Sequence, residues 1–128
     1  MKPITSEWVA KAEGDFATAR RESEAPPAPN YDAACFHAQQ CAEKYLKARL
    51  VEAGRDFPKT HDLAALLSLV SFIDSSCSHL RERLDRLTDL GVEVRYPGVS
   101  ADAADAAEAV ETAGLVRAAV REALGLGA

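Results

Sequence analysis

Residues Tyr31 to Arg55 read YDAACFHAQQCAEKYLKARLVEAGR, the longest uninterrupted helical pattern in the chain. Tyr31, Ala34, Cys35, Ala38, Cys41, Ala42, Tyr45 and Leu46 gather on one side of an ideal wheel that advances about 100° per residue, and that side is expected to be core. Opposite them fall Phe36, Gln40, Glu43, Lys44, Lys47 and Val51, a mixed face. A helix with apolar residues on both sides is expected to be covered on both. Asn30 suits the N-cap, Asp32 the positive first turn, and Gly54 the left-handed position that ends the helix. Arg49 falls in the middle of the apolar side, so either the helix drifts there or the arginine reaches out along its stem.

Before this stretch, Thr5 or Ser6 is expected to cap a first helix with the apolar stripe Trp8, Ala12, Phe16 and Ala19, ending near Ser23. Residues 25–30 (APPAPN) then form a loop, since each proline lacks a backbone donor and disfavours helix in the residue before it. After it, Pro58 in RDFPKT interrupts the chain. Thr60 is the expected cap of a third helix, with His61 in its first turn and Leu63, Leu66, Leu67, Val70 and Ile73 as its buried stripe. Asp74, Ser75 or Ser76 restarts a fourth segment in which Cys77, Leu80, Leu84 and Leu87 face inward, so the third and fourth segments fit either two helices or one bent rod. From Gly91 the segment GVEVRYPGVS breaks the pattern and reads as a loop. Ser100 is the expected cap of a last helix, helped by Asp102 and Asp105 at its positive end, with Ala106, Ala109, Ala113, Val116, Val120 and Leu124 as its stripe. Residues 126–128 are expected to fray. No strand pattern or repeat interrupts this order. The fold class is therefore all-α: an antiparallel up-and-down bundle of four long helices plus a shorter one, in one domain over residues 1–128.

The totals agree with that class. A chain of 128 residues with 48% apolar and 27% charged side chains can bury one core and is neither disordered nor collagen-like. No apolar run reaches the length of a membrane span, and the N-terminal residues lack the pattern of a secretory leader, so the expected location is the cytoplasm. Cys35, Cys41 and Cys77 are odd in number and lack paired metal spacing; they read as buried thiols, with no disulfide and no metal. A net charge of −5 argues against coating nucleic acid by bulk electrostatics. Yet residues 31–60 hold five basic against four acidic side chains, while those from 100 onward hold two against five, which leaves room for a local basic site on an acidic body.

No P-loop, dinucleotide fingerprint, HExxH or nucleophile elbow is present. Three features could carry chemistry. Gln40, Lys44 and Lys47 follow i, i+4, i+7 spacing and project together, so two ammonium groups beside an amide could hold a phosphate and read a base or ribose. The plain alternative is a solvated face with a Glu43–Lys47 pair worth about 0.3 kcal/mol. His61 stands near a helix N-terminus, a setting that favours a bound anion, or else it is a capping or packing residue. Arg95 before Tyr96-Pro97 could aim a guanidinium into a cleft, or simply stack on Tyr96 at the surface. Arg55 and His61 are also close enough in sequence for RNA cleavage chemistry, but Pro58 between them prevents a shared helical face. His37 and His79 stand alone and are assigned no site.

The blocks WVAKAEGDFATAR, YDAACFHAQQCAEKYLKARLVEAG, FPKTHDLAALL and VRYPG, in this order, make the chain resemble the HEPN family, specifically its small prokaryotic members that accompany minimal nucleotidyltransferases. The resemblance implies an up-and-down bundle that commonly forms homodimers, acting in nucleotide binding or in a toxin–antitoxin pair with a nucleotidyltransferase partner. Many members are metal-independent ribonucleases that use an arginine followed a few residues later by a histidine. Here the matching arginine is Arg95, but positions 100–102 are Ser100, Ala101 and Asp102. The resulting expectation is a non-catalytic nucleotide-binding module with Gln40, Lys44, Lys47, His61, Arg95 and Tyr96 around the ligand, and with no cofactor and no catalytic residue. The second reading is an RNA-cleaving toxin, and the third a dimeric interaction protein without ligand, with Phe36 and Val51 marking the dimer surface.

Overall fold

The structure, a computed structural model, describes residues 1–25 and 27–127, so Pro26 of the expected proline loop and Ala128 lie outside it. Its helices are α1 (Pro3–Glu24), α2 (Tyr31–Glu52), α3 (Leu63–Ser71), α4 (Arg81–Glu93) and α5 (Ala103–Ala123), with a 3-10 turn, Ser78–Leu80, leading into α4. No strand occurs among the described residues, and no helix there is long and apolar enough to cross a membrane. Helix α2 lies at the centre, packed against each of α1, α3, α4 and α5. Ala34, Cys35, Ala38, Cys41, Ala42, Tyr45 and Leu46 are all buried on its expected core side.

The capping chemistry shows how each helix is set. Asn30 caps α2 through its side-chain oxygen, which accepts from the Ala33 amide at 3.0 Å, and Gly54 takes φ +70° just past the C-terminus. Helix α1 begins earlier than Thr5 or Ser6, because Pro3 is pre-organised for the first helical turn. Thr5 is instead buried, and its hydroxyl donates to Glu52 Oε1 at 2.9 Å, while the Lys2 amide donates to the same oxygen at 3.0 Å. The start of α1 is thereby latched to the end of α2, which makes the pair antiparallel.

Asp62, rather than Thr60, caps α3 by accepting from the Ala64 and Ala65 amides. Thr60 accepts from the Asp62 amide at 3.0 Å, so His61 precedes the helix instead of standing in its first turn. Helices α3 and α4 are separate elements. Between them Asp74 receives Arg49 Nε at 2.9 Å, so Arg49 leaves the apolar side along its own stem. The last helix is capped by Asp102 in a capping box with Asp105, not by Ser100. Leu126 and Gly127 do not hang loose either: their carbonyls accept from the Arg121 guanidinium.

Helix α4 does not stop at Gly91, the expected break, but continues to Glu93. A Cβ at Gly91 would sit 2.5 Å from Gln39 Cβ, so this glycine is the point where α4 closes onto α2. The three cysteines are buried and free. Burial pushes the Cys35 thiol up to about 12 and raises Cys41 and Cys77 as well, which keeps all three as inert thiols.

Gly91→Ala is expected to lower stability in urea by about 1–3 kcal/mol through overpacking against Gln39. Gly14→Ala, a mid-helix change with nothing near the added Cβ, should instead be neutral or stabilising by up to about 1 kcal/mol. Equal effects of the two substitutions would contradict the close α2–α4 contact.

Candidate functional site

The polar face of α2 is built around a carboxylate that is almost out of water. Glu43 is 4% exposed. Its Oε1 lies 2.8 Å from His61 Nδ1 and accepts from Gln39 Nε2 at 3.2 Å, and its Oε2 accepts from Lys47 Nζ at 2.9 Å. Burial by itself would raise this carboxyl, but the hydrogen bonds from His61, Lys47 and Gln39 and the Lys47 charge outweigh it and hold it below its ordinary value of 4.5. An ionised carboxylate offers only acceptors, so Nδ1 of His61 carries the hydrogen. Nε2 is left as the second polar atom of a side chain that is 57% exposed.

Gln39 is fully buried and holds this arrangement together. Its Nε2 also donates to the His61 carbonyl at 3.0 Å, and its Oε1 accepts from Gln40 Nε2 at 2.7 Å. Lys47 Nζ lies beside two aromatic rings that meet edge-on, 5.7 Å from the Trp8 centroid and 5.6 Å from that of Phe57. A second carboxylate repeats the pattern on the α1 side: Asp15 lies 2.8 Å from His37 Nδ1 through one oxygen and takes Lys44 Nζ on the other. At the α4 end, the Arg95 guanidinium lies over Phe36, 4.7 Å from the ring centre, and His37 meets the same ring edge-on at 5.2 Å.

Of the residues singled out from sequence, Gln40 and His61 come together through Gln39. Lys44 and Lys47 diverge, one to Asp15 on α1 and the other to Glu43. The Glu43–Lys47 pair of the plain alternative is present, but buried instead of on a solvated face. Arg95 is exposed and stacks on Phe36 rather than on Tyr96, which is itself 62% exposed. Arg55 lies apart, in a shallow depression with Val51, Gly54, Asp56 and Phe57. Asp15, His37 and Gln39 were not foreseen. Pairs such as Asp15–His37 join residues far apart in sequence, and only the i, i+4 relations of Glu43 to Gln39 and to Lys47, with the adjacent Gln39 and Gln40, could have signalled part of this network.

A separate cleft of about 320 Å³ runs between α4 and α5, lined by Arg83, Arg86, Leu87, Leu90, Asp105 and Glu108 among others. It includes none of the residues above. Its arginines are already engaged, Arg86 by Glu108 at 2.6 Å and Arg83 by Thr112 at 3.0 Å. Among the described residues no group of three or more His, Cys, Asp or Glu side chains could hold a metal ion.

Comparison with known proteins bears on the whole chain. A family model described as HEPN domain matches residues 5–123. The crystal structure of TT1696 from Thermus thermophilus is similar with a TM-score of 0.78 and 22% identity, over 94% of this chain and 98% of that one, a likeness of fold. A search of curated protein sequences found no match.

The lowered Glu43 carboxyl gives stability that is fully present above its ordinary value of 4.5 and is lost as pH falls below that value through the folded one. Urea unfolding of wild type is therefore expected to weaken more steeply between pH 6 and pH 3 than that of Glu43→Gln. Lys47→Ala, which strands the buried carboxylate, should cost about 3 kcal/mol near neutral pH. Parallel pH profiles for wild type and Glu43→Gln would contradict the assignment.

Proposed function

Because the chain belongs to the HEPN domain family, we propose that it is a non-catalytic nucleotide-binding module that works with a nucleotidyltransferase partner. The observation that carries this reading is the placement of Arg95. Arg49, Arg83, Arg86, Arg117 and Arg121 each meet a carboxylate, whereas Arg95 is exposed and lies over the Phe36 ring. Stacking on an aromatic face orients a guanidinium while leaving its in-plane N–H donors for an incoming phosphate. Gln40 further along the same helix, and the carboxylate-oriented His61 on the connector that crosses it, supply hydrogen-bonding groups for a base or ribose, and Tyr96 offers an exposed ring for stacking.

Lys44 and Lys47 act on this surface through their charge. Direct contact would require a ligand to compete with Asp15 and Glu43 for them, and for Lys47 also with burial. Catalysis is disfavoured because Ser100, Ala101 and Asp102 follow Arg95 where a ribonuclease of this family carries its histidine. The resemblance to small HEPN proteins paired with nucleotidyltransferases supports a homodimer in a toxin–antitoxin pair as the biological setting.

Calorimetric titration with nucleoside triphosphates at up to millimolar concentration is expected to show saturable binding that weakens as salt rises. Arg95→Ala should reduce the affinity by about tenfold or more, the loss expected of a charge-assisted contact. RNA should survive prolonged incubation with the protein in chelator. Absence of binding would defeat the proposal, and RNA cleavage abolished by Arg95→Ala would replace it with the ribonuclease reading.

A further inference from the structure

We propose that His37 reads the ribose of the bound nucleotide, so that the site takes ribonucleotides in preference to 2′-deoxyribonucleotides; this rests on the nucleotide-binding reading above. Residue spacing alone assigns His37 no partner and no role. In the fold its Nδ1 lies 2.8 Å from Asp15 Oδ1, and the other oxygen of that carboxylate is held by Lys44. Asp15 is thus fixed from a second side, and it fixes the imidazole in turn. Since a carboxylate only accepts, Nδ1 carries the hydrogen, and whenever the ring is neutral Nε2 is an oriented acceptor. The side chain keeps 31% of its surface open to solvent.

An uncharged acceptor suits a hydroxyl donor and not a phosphate oxygen, which has no hydrogen to give. The phosphate is met instead by Arg95. Both groups surround one ring: the Arg95 guanidinium lies 4.7 Å and the His37 ring 5.2 Å from the Phe36 centre. A cation for phosphate and an acceptor for hydroxyl therefore stand within the span of one nucleotide. His61 repeats the imidazole–carboxylate arrangement on Glu43, but its neighbours there are Gln39 and Lys47 rather than Phe36 and Arg95. The 2′-hydroxyl is the group that separates RNA from DNA chemistry, and a single oriented acceptor is enough to sense it.

Calorimetry on the full chain with the standard ribonucleoside triphosphates and their 2′-deoxy counterparts tests this. Wild type should bind the ribonucleotide about fivefold more tightly, the ratio expected of one net hydrogen bond. His37→Phe keeps a ring against Phe36 but lacks the acceptor, and should equalise the two by weakening only the ribonucleotide. His37→Gln, whose amide oxygen can accept, should restore part of the preference. Circular dichroism confirms that each variant is folded before its ratio is read. Equal affinities in wild type, or an unchanged ratio in folded His37→Phe, overturn this inference while nucleotide binding stands. No binding by any of the triphosphates overturns both.

Discussion

An ionised carboxylate taken out of water must recover hydrogen bonds from the protein, and Glu43 does so through both of its oxygens. Its donors come from two places: Gln39 and Lys47 on its own helix, and His61 from the connector after Pro58. That requirement draws the connector back across α2 and so fixes where α3 begins. It also explains why α2 carries polar residues on a face that other elements cover. Among the described residues no buried side-chain nitrogen or oxygen is left without a partner. Removing one member of such a set exposes the cost of all the others.

The same rule joins α1 to the bundle at two further points. Asp15 takes His37 and Lys44 from α2. Glu13 receives Arg117 and Arg121 from α5 and the Tyr45 hydroxyl from α2. Burial would raise the Glu13 carboxyl, but the Tyr45 and Arg117 hydrogen bonds and the two arginine charges hold it below 4.5. Glu13 therefore ties three helices, and Arg121 extends the tie to the chain end through the Leu126 and Gly127 carbonyls. The imidazoles of His37 and His61 and the Arg95 guanidinium are each held by contacts within the protein itself. For the nucleotide binding proposed above, preorganisation of this kind would lower the entropic cost.

Much of this fold was legible in the sequence because it rests on local chemistry. The Asn30 cap, the Gly54 terminus and the buried stripes of α2, α3 and α5 all follow from side-chain spacing and backbone preference. Where several residues could cap, as at Thr60 and Asp62 or at Ser100 and Asp102, the choice depends on where the loop turns, which spacing does not specify. The segment from Gly91 reads as a loop because Pro97 and Gly98 break the pattern and Val92 and Val94 are β-branched, and only the closeness of Gly91 to Gln39 shows that the glycine belongs to the helix. For the site, the residue types on α2 were visible, but their partners on α1 and in the connector were not. Lys44 and Lys47 share a spacing on a wheel, yet Lys44 is drawn to Asp15 on α1 while Lys47 stays with Glu43 one turn back on its own helix.

Whether nucleotides meet this surface at all is best settled by following backbone amide NMR signals during a ribonucleoside triphosphate titration. Binding at this surface predicts saturable shifts concentrated on Phe36 to Lys47, Thr60 to Asp62 and Val94 to Tyr96. Shifts centred instead on the cleft between α4 and α5, around Arg83, Arg86 and Glu108, or no shifts at millimolar ligand, would contradict it.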